Sequence, residues 1–110
     1  MSGSTARERE QFLVGLIAKS LDAYERGEAG LARLVADVEG AIEALFDVAD
    51  SEWVERLRSA WSGLEIVYAL VLDEGRSGLT DEERCDIDET IAELRSLLAA
   101  DQRPHGRGRE

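Results

Sequence analysis

Proline occurs once in this chain, at Pro104, so nothing before the C-terminal tail interrupts a helix. Cysteine also occurs once. Cys85 cannot form an internal disulfide, which suits a reducing compartment, and the expected location is cytoplasmic. The one histidine, His105, lies among Arg and Gly near the C-terminus. That excludes a di-iron bundle site built on Glu-x-x-His pairs and a zinc site built on Cys and His. No apolar run exceeds the seven residues from Ile66 to Leu72, well short of the ~20 that span a bilayer. The start, Met1 to Glu8, is polar and reads as no secretory signal. Basic residues are the minority, 13 against 24 acidic, for a net charge of −11. Such a balance disfavours binding to phosphate backbones and favours a basic partner or none.

What is present is helical periodicity over 110 residues, 44% hydrophobic and 34% charged. Length and composition suit one soluble globular domain. The spacing predicts an all-α, single-domain four-helix bundle over 1–100 and a disordered Arg/Gly tail over 101–110. The first helix is expected over about 6–26, opened by a Thr5/Glu8 capping box and ended by Gly27. Its buried side is expected to be Phe12, Leu13, Leu16, Ile17, Leu21 and Tyr24. The second is expected over about 29–49, burying Leu31, Leu34, Val38, Ile42, Leu45 and Ala49.

Asp50 or Ser51 then caps a third helix reaching Asp73. It carries two apolar stripes, Trp53, Leu57, Trp61, Leu64, Tyr68 and Val71 on one side and Ser59, Gly63, Ile66 and Leu70 on the other. A helix apolar on two sides is expected at the centre of a bundle. Gly75 and Gly78 break the chain. Thr80-Asp81-Glu82-Glu83 is a capping box with acids in the first turn, and it starts a fourth helix that buries Ile87, Ile91, Leu94 and Leu98.

The charge is unevenly spread. Residues 27–50 hold six acids against one base, and residues 79–100 hold seven against two. In the fourth helix Glu82, Asp86, Glu89 and Glu93 step by four, three and four, within about a 60° arc. In the second, Glu39, Glu43, Asp47 and Asp50 step by four, four and three. Like charges at this spacing cost a few tenths of a kcal/mol per pair, so each row is either a face kept acidic for solubility or a docking surface for a basic protein. Phe46 borders the second-helix row, where an aromatic can anchor an interface.

Other candidates read as structural. Asp73 to Arg84 has the length of a calcium loop, but Gly75 and Arg84 stand where ligands belong. Glu65 interrupts an apolar run, and burial would raise its pKa as general acids require, yet no partner acid, base or nucleophile accompanies it. Gly15, Gly40 and Gly63 inside helices are expected to mark close helix–helix approach. Trp53 and Trp61 are expected in the core, and Cys85 is expected to be inert. No enzyme motif, cofactor site or metal site is expected.

The stretch Asp50-Ser51-Glu52-Trp53, the run Trp61-Ser62-Gly63-Leu64-Glu65-Ile66-Val67-Tyr68-Ala69, the loop Leu72-Asp73-Glu74-Gly75-Arg76 and Leu79-Thr80-Asp81-Glu82-Glu83 together resemble the small helical immunity proteins of bacterial polymorphic and contact-dependent toxin systems. The resemblance covers about 28–100. It implies a non-enzymatic protein that binds a toxin domain and blocks its active site or an exosite. Immunity proteins facing nucleases are often acidic, in effect mimicking phosphate. The tyrosine pair of the nuclease-colicin immunity proteins is absent, so that subfamily is not implied. The expected partner is a basic toxin domain, with no nucleic acid and no membrane, and the protein itself a monomer or weak homodimer. The alternative is a cytoplasmic helical adaptor or secretion chaperone using an apolar seam.

Overall fold

Four helices, α1 (Ser2–Glu25), α2 (Leu31–Leu45), α3 (Ser51–Asp73) and α4 (Asp81–Asp101), build the chain in the computed structural model, which describes residues 2–101 and the side chains of 6–100. The fold is an all-α four-helix bundle. The tail expected over 101–110 lies outside the described residues apart from Asp101, the last residue of α4.

Local chemistry sets most helix ends. Gly27 (φ 78°) and Gly75 (φ 65°) take the left-handed conformation that glycine adopts without a Cβ clash. After Gly27, the Glu28 N–H donates to Ala23 O at 2.8 Å and the Gly27 N–H to Tyr24 O at 3.0 Å. After Gly75, the Arg76 and Gly75 N–H groups donate in the same pattern to Val71 O and Leu72 O, both at 3.1 Å. Both ends are Schellman motifs that satisfy the last free carbonyls. The Asp50 carboxylate accepts from the Trp53 N–H at 3.1 Å and caps α3. Thr80 and Glu83 form the reciprocal capping box of α4: the Glu83 N–H donates to Thr80 Oγ1 at 3.1 Å, and the Thr80 N–H to Glu83 Oε1 at 2.9 Å.

Two boundaries differ from expectation. Helix α1 begins at Ser2, so Thr5 lies inside it rather than at its N-cap. Helix α2 stops at Leu45, where i to i−3 bonds from Phe46, Asp47 and Val48 tighten the chain into a turn.

The helices form a ring in which sequence neighbours pack together and α1 meets α4 most sparsely. The core is one cluster fed by every helix, including Ile17 and Leu21, Leu34, Val38 and Ile42, Leu57 and Leu64, and Ile87, Ile91 and Leu94. The two tryptophans tie α3 to both neighbours. Trp61 Nε1 donates to Val35 O of α2 at 3.0 Å, and Trp53 Nε1 donates to Leu97 O of α4 at 2.9 Å. A buried indole N–H needs such a partner, and both find main-chain carbonyls.

The ring overturns the central placement of α3, which packs on α2 and α4 while α1 lies diagonally across. Its first stripe is buried through Leu64, and Val54, Ala60 and Val67 join it. Its second stripe faces out: Ile66 is 60% and Leu70 45% exposed. The reason is angular. At ~100° per residue, Ile66 sits roughly 165° around the helix from the middle of the buried stripe. The same geometry corrects α1. Its buried residues are Leu13, Val14, Ile17 and Leu21, which leaves Phe12 65% and Leu16 39% exposed. On α2, Val35 is buried and Phe46 half-buried against the core.

Candidate partner-docking face

The acidic row of α4 follows from its register. With Ile87, Ile91, Leu94 and Leu98 buried, Glu82, Asp86, Glu89 and Glu93 fall on the solvent side, and all four are exposed. The cations of the same helix turn the other way. Arg95 reaches Asp22 and Glu25 of α1 at 2.9 and 2.6 Å, and Arg84 lines the loop-end cleft with Tyr24 and Asp88. Burial, then the Asp88 charge, raise the Tyr24 hydroxyl pKa against the opposing pull of Arg84. Among the described residues, the side chains of Glu82, Asp86, Glu89 and Glu93 make no hydrogen bond and no ion pair.

The α2 row is different. The Asp50 carboxylate is the N-cap of α3, and Glu43 meets Arg58 of α3 at 3.4 Å. Glu39 is half-buried, and Asp47 is exposed in the turn after α2. Half of this row is therefore engaged within the fold. Phe46, packed partly on the core, presents only part of its ring.

Between the two rows runs the outer face of α3. Its α4 side holds the strip Gly63, Ile66 and Leu70, which carries no charge. Gly63, Ile66 and Val67 of α3 with Asp86, Glu89 and Thr90 of α4 line an open cleft of about 290 Å³. Gly63 stands where the helices approach closely: a Cβ there would lie 2.7 Å from Thr90 Oγ1. Gly15 and Gly40 were expected to mark similar approaches, but open space surrounds both. The helices cross antiparallel, so Leu70, one turn beyond Ile66, lies toward the Glu82 end of the acidic row. An apolar strip and an acidic row thus run side by side. Sequence reasoning assigned Ile66 and Leu70 to the core. No signal in the sequence placed them outside, because an opposite apolar stripe suits a third neighbouring helix as well as solvent.

The structure also places the other candidates. Glu65 is exposed rather than buried, so the desolvated setting that its place in an apolar run suggested is not there. No polar or charged side chain is buried among the described residues. Among these residues no three His, Cys, Asp or Glu side chains gather as metal ligands. Cys85 is exposed, and no described helix is long and apolar enough to cross a membrane.

The loop before α4 carries one built ion cluster. Arg76 meets Glu83 through two parallel bonds, 2.9 and 2.7 Å, and Glu74 at 2.6 Å, and it donates to Gly78 O at 3.1 Å. The Arg76 bonds, with the Thr80 N–H, hold the Glu83 carboxyl down at about 2. Both side chains are partly covered and serve the loop, since Glu83 also closes the capping box. The Glu83 position followed from the sequence; its cation, seven residues upstream across a glycine loop, did not.

No protein-family model matches the chain, and neither does any curated protein or solved structure.

Proposed function

We propose that the chain is a non-enzymatic immunity protein that binds and blocks a basic bacterial toxin domain, a nuclease being the class its acidity fits best. One observation carries the reading: four exposed acids lie along one side of α4 without a counter-charge among the described residues, next to an exposed uncharged strip of α3. An acidic face kept only for solubility needs no apolar strip beside it. Charge complementarity would speed encounter with a cationic surface, and desolvated apolar contacts would slow release. The resemblance in the Trp-containing and Leu-Asp-x-Gly segments points the same way. The protein acts in the cytoplasm as a monomer or weak homodimer, with no cofactor.

If an exported protein with a nuclease-like C-terminal domain is encoded directly upstream, the test is rescue of cells that express that domain. Protection by the wild-type chain supports the reading, and unchanged killing refutes it. A second reading, a cytoplasmic adaptor or secretion chaperone, draws on the exposed Phe12 and Leu16 of α1, an apolar surface away from the acidic row. A secretion effector encoded next to the chain, and stabilised by it, would favour that reading.

A further inference from the structure

We propose that the groove between α3 and α4 receives an amphipathic, basic α-helix of the partner, with Ile66 and, one turn beyond it, Leu70 as the apolar α3 side and Asp86 and Glu89 as the acidic α4 side. The proposal rests on the partner-binding reading above and specifies the docking element. Two straight rows run along the groove in parallel. Gly63, Ile66 and Leu70 follow α3 at helical spacing, and Glu82 to Glu93 extend ~16 Å along α4. A ligand matching both rows needs an apolar row and a cationic row side by side along one rod. An amphipathic helix with apolar residues at i, i+3 and i+7 and Lys or Arg on the flank has that form.

An extended strand fits less well, because both walls are helices with internally paired backbones and offer it no ladder. Charge decides the sign of the partner. The rim residues Asp86 and Glu89 have no counter-ion among the described residues, and the nearest cations of α4, Arg84 and Arg95, turn toward α1. The missing side chain at Gly63 lets Thr90 of α4 come close, since a Cβ there would lie 2.7 Å from Thr90 Oγ1.

The test uses a fluorescent peptide of about 18 residues, ~27 Å of helix, with leucine on one face and lysine on its flanks. A scrambled peptide of the same composition and a glutamate-for-lysine version are the controls, and fluorescence anisotropy is the readout. Four proteins are compared: wild type, Ile66→Gln with Leu70→Gln, Asp86→Lys with Glu89→Lys, and Glu39→Lys with Asp47→Lys. The first two residues are exposed and glutamine suits a helix, so folding should survive, which circular dichroism verifies.

The amphipathic basic peptide should bind wild type at least ~tenfold more tightly than either control peptide, a difference of ~1.4 kcal/mol. Both α3 and α4 double variants should lose about tenfold, and the α2 variant, with an identical change in net charge, should stay within about twofold. Equal binding of the scrambled peptide, equal loss in the α2 variant, or no binding at all would overturn the groove. The toxin reading fails separately. A chain that binds the peptide through the groove but never protects cells keeps this inference and loses that reading. Full protection by the Ile66→Gln, Leu70→Gln protein does the reverse.

Discussion

Replacing Trp61 with phenylalanine tests how the bundle is held together. The indole is 4% exposed, and its N–H donates to Val35 O across the α2–α3 interface. Phenylalanine keeps most of the apolar contact but removes the donor and leaves unfilled space. Val35 O lies within α2 and keeps its helical partner, so no acceptor is orphaned, and the lost hydrogen bond costs ~1 kcal/mol. The missing ring volume adds ~1–2 kcal/mol, depending on how far the surrounding core side chains can close around it. A loss of ~2–3 kcal/mol should lower Tm by roughly 10 °C in a domain of this size. Trp53→Phe should cost less, because Trp53 lies at the end of the bundle and its hydrogen bond to Leu97 O is only partly buried. Paired thermal and urea melts of both variants measure the difference. A Trp61→Phe change under ~2 °C, or a larger loss for Trp53→Phe, would refute the assignment of Trp61 as the buried tie between α2 and α3.

Asp50→Ala should cost ~1 kcal/mol, since it removes the cap on the Trp53 N–H, and a thermal melt should show a fall of about 5 °C that an uncapped surface acid would not give. Glu83 titrates near 2 in the folded protein against an ordinary 4.5, so its stabilising contribution is full above about 4.5 and disappears as pH falls toward 2. Urea unfolding between pH 6 and 2 should show that decline, and Glu83→Gln should flatten it. Asp86→Lys with Glu89→Lys converts the Glu82–Asp86 and Glu89–Glu93 repulsions into attractions, so stability should rise by several tenths of a kcal/mol, and a fall in Tm would show that these acids serve the fold. Deleting residues 103–110 should leave Tm unchanged, because the segment carries no large apolar side chain to bury; a drop of several degrees would show that the tail docks.

Short-range chemistry made much of this protein legible from its sequence. The cap at Asp50 or Ser51, which the structure assigns to Asp50, the Thr80–Glu83 box, the glycine ends at Gly27 and Gly75, and the Ile87, Ile91, Leu94 and Leu98 stripe all rest on residues within a turn or two of one another. The structure reproduces each. The exposed acidic row of α4 followed from the same stripe, because residues opposite a known core face must point outward. Tertiary packing decided what periodicity left ambiguous. A second apolar stripe is compatible with a third packing partner or with solvent. Only the ring arrangement, with α1 across the diagonal from α3, turned Ile66 and Leu70 outward. Likewise Phe12 and Leu16 belong to the apolar sequence of α1 but lie beyond the arc that its two neighbours cover. Gly63 has a packing reason, the Thr90 side chain, while Gly15 and Gly40 have open space, a distinction set by where another helix passes. The engagement of Glu43 by Arg58 and of Arg95 by Asp22 and Glu25 joins residues distant in sequence, so only the folded chain could show which acids remain unpaired. Local rules fix which residues share a helix face; which faces meet protein and which meet solvent depends on the placement of the other helices.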